Sequence, residues 1–142
     1  KPIEIKLQPI NPLMKEKIKE PFDTGIRAIN ALYTLGKGQK VGIFAAAGVG
    51  KTTTLGMITR FSQADLVILS LIGERGREVK EFVEDVLGKE GMEKSIVVVS
   101  TADEPPVNKV KAAFASMVMA RYFALEKGMN VLFIMDSITR FA

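Results

Sequence analysis

The stretch from Lys40 to Phe61 constrains the fold more than any other. Lys40-Val41-Gly42-Ile43-Phe44 reads as a strand, Ala45-Ala46-Ala47-Gly48-Val49-Gly50-Lys51-Thr52 as a glycine-containing loop, and Gly50–Phe61 as a helix. A loop of this kind between a strand and a helix is built to wrap phosphate oxygens. Gly48 and Gly50 let successive N–H groups turn inward. The helix N-terminus adds further donors and a partial positive charge. On this reading Ala47, Gly48, Val49, Gly50, Lys51, Thr52 and Thr53 hold the phosphates. Lys51 reaches the β- and γ-phosphates, and the Thr52 hydroxyl is set to bind magnesium. Ala45 stands where the strict pattern has its first glycine, a position that only closes the strand-to-loop turn. The simpler alternative, an Ala/Gly-rich turn between core elements, gives no reason for Gly-Lys-Thr at the helix entry.

The rest of the chain alternates in the same way. Leu66–Ile72, Ile96–Ser100 and Val131–Asp136 read as strands, and all three are near-continuous apolar runs. That pattern belongs to a parallel sheet covered by helices on both faces, hence an α/β fold. Helices are expected over Arg77–Leu87, ended by Gly88 and Gly91, and from Pro105-Pro106 to about Lys127, closed by Gly128. A short helix over Ile26–Leu32 is expected to be capped by Asp23 or Thr24. Residues 1–22 carry four of the six prolines (Pro2, Pro9, Pro12, Pro21) and the run Lys15-Glu16-Lys17-Ile18-Lys19-Glu20. They read as an extended lead-in, with 23–142 as the folded part. The seven methionines read as packing residues at helix and strand positions.

Composition narrows the chemistry. The 142 residues contain no Cys and no His, so thiol nucleophiles, imidazole bases and the usual zinc sites are excluded. Asp, Glu, Lys or Tyr must serve as any general base. Asp136 ends an apolar strand at the carboxyl edge of the sheet, where open α/β sheets bind ligands. It suits a magnesium shell, although a helix cap is the alternative. Gly73-Glu74-Arg75-Gly76-Arg77-Glu78 follows another strand at that edge. Glu74 is the best candidate to polarise an attacking water. Arg75 would add positive charge near the γ-phosphate. A surface loop whose charges pair with one another is the competing reading. The net charge of +4 suits an anionic ligand or an ordinary solvated surface about equally.

Asp23-Thr24-Gly25-Ile26-Arg27-Ala28-Ile29-Asn30, the P-loop, Gly73–Val79, Thr101-Ala102-Asp103-Glu104-Pro105 and Asp136-Ser137-Ile138-Thr139-Arg140-Phe141 occur in that order. Together they resemble the nucleotide-binding core of the flagellar and type III secretion ATPases, relatives of the rotary ATP synthase catalytic subunit. The resemblance covers the chain from about Pro12 onward. It implies a RecA-like P-loop NTPase core, with ATP as substrate and Mg2+ as cofactor. It also implies Lys51 and Thr52 as phosphate and magnesium ligands, Glu74 as the catalytic glutamate, and Asp136 as the Walker B metal ligand. Arg75 matches an arginine near the γ-phosphate, and Arg140 one close to the phosphate site. Ala46-Ala47 departs from the Gly-Ser common in the family.

The same resemblance implies a homohexamer that hydrolyses ATP to drive protein export. Its partners would be stalk and regulator proteins and export substrate or chaperone complexes. It would be cytoplasmic and peripheral at the inner-membrane export apparatus. Proteins of this family are much longer than this chain, so the sheet is expected to be incomplete and the chain alone a weak binder with slow turnover. A RecA- or Rho-like nucleic-acid translocase shares the fold, but no stacking aromatics interleave with the Lys and Arg residues, so no nucleic-acid partner is expected. A non-catalytic nucleotide-binding subunit is the other alternative, and would be expected to lack Glu74.

Overall fold

The computed structural model describes residues 11, 13, 17–46 and 48–140. Pro2, Pro9, Pro12, Lys15 and Glu16 of the expected lead-in, Ala47 of the P-loop and Phe141 lie outside the described residues. The chain divides into two compact units, one within Gln8–Gln63 and one from Ala64 onward.

The C-terminal unit is built on a three-stranded parallel sheet. Its strands are β3 (Leu66–Glu74), β4 (Ser95–Thr101) and β5 (Val131–Asp136), in the order β4-β3-β5. The central strand is sealed: Val67, Ile68, Leu69 and Ile72 are fully buried, and Leu71 nearly so. Each such side chain stabilises the fold by about 1.5–3 kcal/mol relative to leaving it exposed. α3 (Gly76–Glu81), a π-helical stretch Phe82–Leu87 and α4 (Gly88–Glu93) connect β3 to β4. α5 (Pro106–Leu125) connects β4 to β5. The two connections run in opposite directions across the sheet. Right-handed crossovers therefore put them on opposite faces. One polar contact is sealed inside: the Ser116 hydroxyl of α5 lies 2.8 Å from that of Ser70 on β3, and both residues are fully buried. Buried hydroxyls are tolerated when paired in this way.

The N-terminal unit has less regular structure. Pro21–Phe22 (β1) pairs antiparallel with Leu35–Gly36 (β2), and α1 covers Arg27–Leu32. α2, Lys51–Phe61, follows the P-loop.

The expected strand Lys40–Phe44 is not formed. Residues 40–46 have no regular structure and are exposed, with Phe44 95% accessible. A strand is held by hydrogen bonds to a neighbour, and no described strand pairs with this segment. As expected, the helical run after β3 ends at Leu87, where Gly88 is the C-cap with a φ of 58° and a ψ of −167°. Gly91 takes no part in that stop, because a second short helix, α4, begins at Gly88 and runs through a buried Gly91. The start of α1 is also different. Ile26 is its N-cap and no side chain caps it. Asp23 and Thr24 instead bond to Asn30: the Asn30 amide donates to the Asp23 carboxylate at 2.6 Å and its oxygen accepts from the Thr24 hydroxyl at 2.8 Å. The methionines pack less than expected. Met57, Met92 and Met119, all on helices, are exposed, and no described methionine is fully buried.

Candidate active site

The sequence-predicted residues fall into two sets. The P-loop belongs to the N-terminal unit, and Glu74, Arg75, Asp136 and Arg140 to the C-terminal unit.

In the P-loop, Gly48 and Gly50 have φ of 78° and 93°. A Cβ at either would meet nothing within 4 Å, so backbone conformation rather than crowding selects glycine at both. Gly50 is the N-cap of α2 and no side chain caps the helix. Its carbonyl accepts from the Thr54 N–H and hydroxyl, both at 2.9 Å, which fixes the first turn. An 11-residue helix beginning at an uncapped glycine turn presents its N-terminal donors to an anion. Val49, Thr52 and Thr53 are exposed and Lys51 is half-buried. This backbone fits phosphate binding.

In the C-terminal unit the sheet brings a second group together. Asp136 ends β5 opposite Leu71 of β3, and Glu74 ends β3 three residues further on. Between Ile72 and Glu74 the register with β4 shifts, so Gly73 forms a bulge with a φ of 75°. The Glu74 carbonyl accepts from the Ala102 N–H at 3.0 Å, which anchors its backbone. Beyond Asp136, whose peptide bond to Ser137 is cis, a 3-10 turn Ile138–Arg140 carries Arg140 back over β3. Its guanidinium Nη1 donates to the Gly73 carbonyl at 2.5 Å and to Glu74 Oε2 at 3.0 Å.

The Glu74 side chain is 15% exposed and that of Arg140 47%. Burial pushes the Glu74 carboxyl above the usual carboxylate range. A hydrogen bond shared with Glu78 and the charge of Asp136 push the same way, and Arg140 opposes them. Glu78 is correspondingly lowered, first by that hydrogen bond. Glu74 is thus a carboxylate of raised basicity, oriented by an arginine, at the edge of the sheet where ligands bind. Arg75 is the N-cap of α3, exposed, and its charge helps lower Glu78. The structure thus joins Glu74 directly to Arg140. The sequence reading singles out neither Gly73 nor Glu78 as a site residue. A glycine closing an apolar strand is the signal that marks the bulge, whereas Glu78 stands out only as an acidic residue in the first turn of α3.

Among the described residues no group of three or more Asp and Glu side chains is placed to hold a metal. One hydroxyl and one carboxylate are the donor set expected for Mg2+, which keeps several waters and takes the remaining ligands from phosphates.

The profile of the ATP synthase alpha/beta family, nucleotide-binding domain, matches residues 25–142. A flagellum-specific ATP synthase from Aquifex aeolicus is 65% identical over 97% of the chain, which covers 31% of that protein. A type 3 secretion system ATPase from Xanthomonas euvesicatoria is 47% identical over 99% of the chain and 31% of its own length. Among solved structures, the assembled ATPase EscN in complex with its central stalk EscO, from the enteropathogenic E. coli type III secretion system, superposes with a TM-score of 0.92. It is 47% identical over 99% of this chain and 34% of that one. The chain therefore spans about a third of the length of the curated relatives it matches.

Proposed function

Because the chain belongs to the ATP synthase alpha/beta nucleotide-binding family, we propose that it is the N-terminal part of the catalytic domain, residues 23–142, of an ATPase that drives flagellar or type III protein export. The observation that carries this reading is that one chain holds both an uncapped Gly-Lys-Thr helix entry and a largely buried Glu74 of raised basicity. The P-loop backbone, Lys51 and the start of α2 bind and orient the phosphates. Glu74 accepts the proton of the attacking water, and its raised basicity suits that task. Arg75 and Arg140 add positive charge near the γ-phosphate. Thr52 and Asp136 are the residues that would hold Mg2+, which when bound neutralises charge on the phosphates.

The whole protein is read as a homohexamer around a stalk, working with regulators and export substrate or chaperone complexes. It is read as cytoplasmic and peripheral at the inner-membrane export apparatus. The assembled EscN with its central stalk EscO supports assembly around a stalk, and the name of the Xanthomonas type 3 secretion system ATPase supports the tie to secretion. No helix among the described residues is long and apolar enough to cross a membrane.

Two substitutions in the full-length protein test the proposal. Glu74→Gln should lower ATP hydrolysis by about 10²–10⁴-fold, the usual share of a general base, with nucleotide binding retained. Lys51→Ala should lose about 10²–10³-fold, as for removal of one preorganised donor, and weaken binding as well. Hydrolysis unchanged in Glu74→Gln would remove the catalytic assignment.

A further inference from the structure

We infer that Asn30 is a positioning residue for phosphate binding: with Asp23 and Gly25 it clamps the far end of α2, the helix whose first turn carries Lys51 and Thr52. The inference rests on the nucleotide-binding reading above and gives a task to residues 23–30, which that reading leaves unused. Three features support it. Asn30 closes the turn on itself. Its amide donates to Asp23 Oδ1 at 2.6 Å, and its oxygen accepts from the Thr24 N–H at 3.1 Å and the Thr24 hydroxyl at 2.8 Å. Asp23 Oδ1 also accepts from the Gly25 N–H at 2.7 Å, and Thr24 is fully buried. The closed turn is then tied to the C-terminal end of α2. The Gln63 N–H donates to the Asp23 carbonyl at 3.0 Å, and the Gln63 side-chain amide to the Pro21 carbonyl at 3.3 Å. Gly25, finally, lies directly against Phe61, the last residue of α2: a Cβ on residue 25 would collide with the Phe61 Cβ and carbonyl group.

The opposite end of α2 begins at a glycine turn without a side-chain cap. Where that end points therefore depends on how the rest of the helix is held. An 11-residue helix is about 16 Å long. A tilt of about 4° about its clamped end moves its first turn by roughly 1 Å, enough to take a hydrogen bond to phosphate out of range. Coupling of this kind is reciprocal: bound nucleotide tightens the clamp by the same factor by which the clamp tightens binding.

The test is MgADP affinity in the full-length protein, by titration calorimetry, for Asn30→Asp, Asp23→Asn and the double variant Asp23→Asn/Asn30→Asp. Asn30→Asp sets two carboxylates against each other and should weaken MgADP binding about tenfold, in the usual range for coupled sites. The double variant again pairs one amide with one carboxylate and should recover most of that loss. Asp23→Asn alone, in which two amides can still pair, should cost less than Asn30→Asp. Hydrogen exchange of the unaltered protein gives a second reading. Saturating MgADP should slow the Thr24, Gly25 and Gln63 amides about tenfold more than the interior amides of β3. A turn that served only the fold would leave Asn30→Asp with a lowered unfolding midpoint but unchanged MgADP affinity, and that result overturns the proposal. So does an affinity loss that the double variant fails to recover. If Asn30→Asp does not fold, the exchange measurement decides, and turn amides unmoved by MgADP contradict the proposal. The nucleotide-binding reading fails separately, if Lys51→Ala binds MgADP as tightly as the unaltered protein.

Discussion

β3 and the segment Lys40–Phe44 carry the same local signal, a short apolar run ahead of a functional loop, and meet opposite fates. β3 has β4 on one side and β5 on the other, and its core residues are sealed from solvent. Lys40–Phe44 has no strand partner among the described residues, and Val41, Ile43 and Phe44 stay exposed. Hydrophobicity makes a strand possible, but pairing decides whether it forms. Function divides along the same line. The P-loop works through backbone turns and a helix end, which are local. The Glu74 corner works through side chains brought together from β3, β5 and the turn after it, which only a formed sheet supplies.

Stability measurements can break this comparison. Ile68→Ala, in the sealed central strand, should cost about 2–5 kcal/mol, read as a lowered midpoint in chemical unfolding. A cost below about 1 kcal/mol would mean that the sheet is not the stable part of the molecule.

The next effect concerns pH. Glu74 binds its proton more tightly in the folded state than the ordinary value of 4.5. Between 4.5 and the raised value the folded state therefore holds more protons than the unfolded one. The contribution of Glu74 to stability is most favourable below 4.5 and falls as pH rises through the raised value. Hydrolysis needs the ionised carboxylate, so its acid limb should lie above the pH at which an ordinary glutamate ionises. Removing the positive charge in Arg140→Gln should move that limb higher still, as read from hydrolysis rate against pH. A limb at or below 4.5 would contradict the burial of this carboxyl. The smallest effect is expected at Phe44→Ala, within about 0.5 kcal/mol in unfolding experiments, as for an exposed side chain.

Much of the fold and the site is legible in the sequence because it is encoded locally. Leu66–Ile72, Ile96–Ser100 and Val131–Asp136 are runs that only a covered parallel strand explains, and all three lie in strands. Gly48, Gly50 and the helix from Lys51 follow from turn chemistry and helix start signals. The fate of Lys40–Phe44 is not legible, because pairing is a property of neighbours far along the chain. The Arg140–Glu74 contact joins residues 66 positions apart, and no spacing rule reaches that far. The stop at Gly88 is legible, but the second helix α4 after it is hidden, because a glycine stop signal does not say whether the chain turns helical again.

Hydrogen exchange of the full-length protein with and without MgATP tests the central claim most directly, that the P-loop is a phosphate site built from backbone. Amides from Gly48 to Thr53 should exchange readily without nucleotide and become strongly protected with it, while the interior amides of β3 stay slow in both states. Unchanged exchange from Gly48 to Thr53 at saturating MgATP would contradict the account.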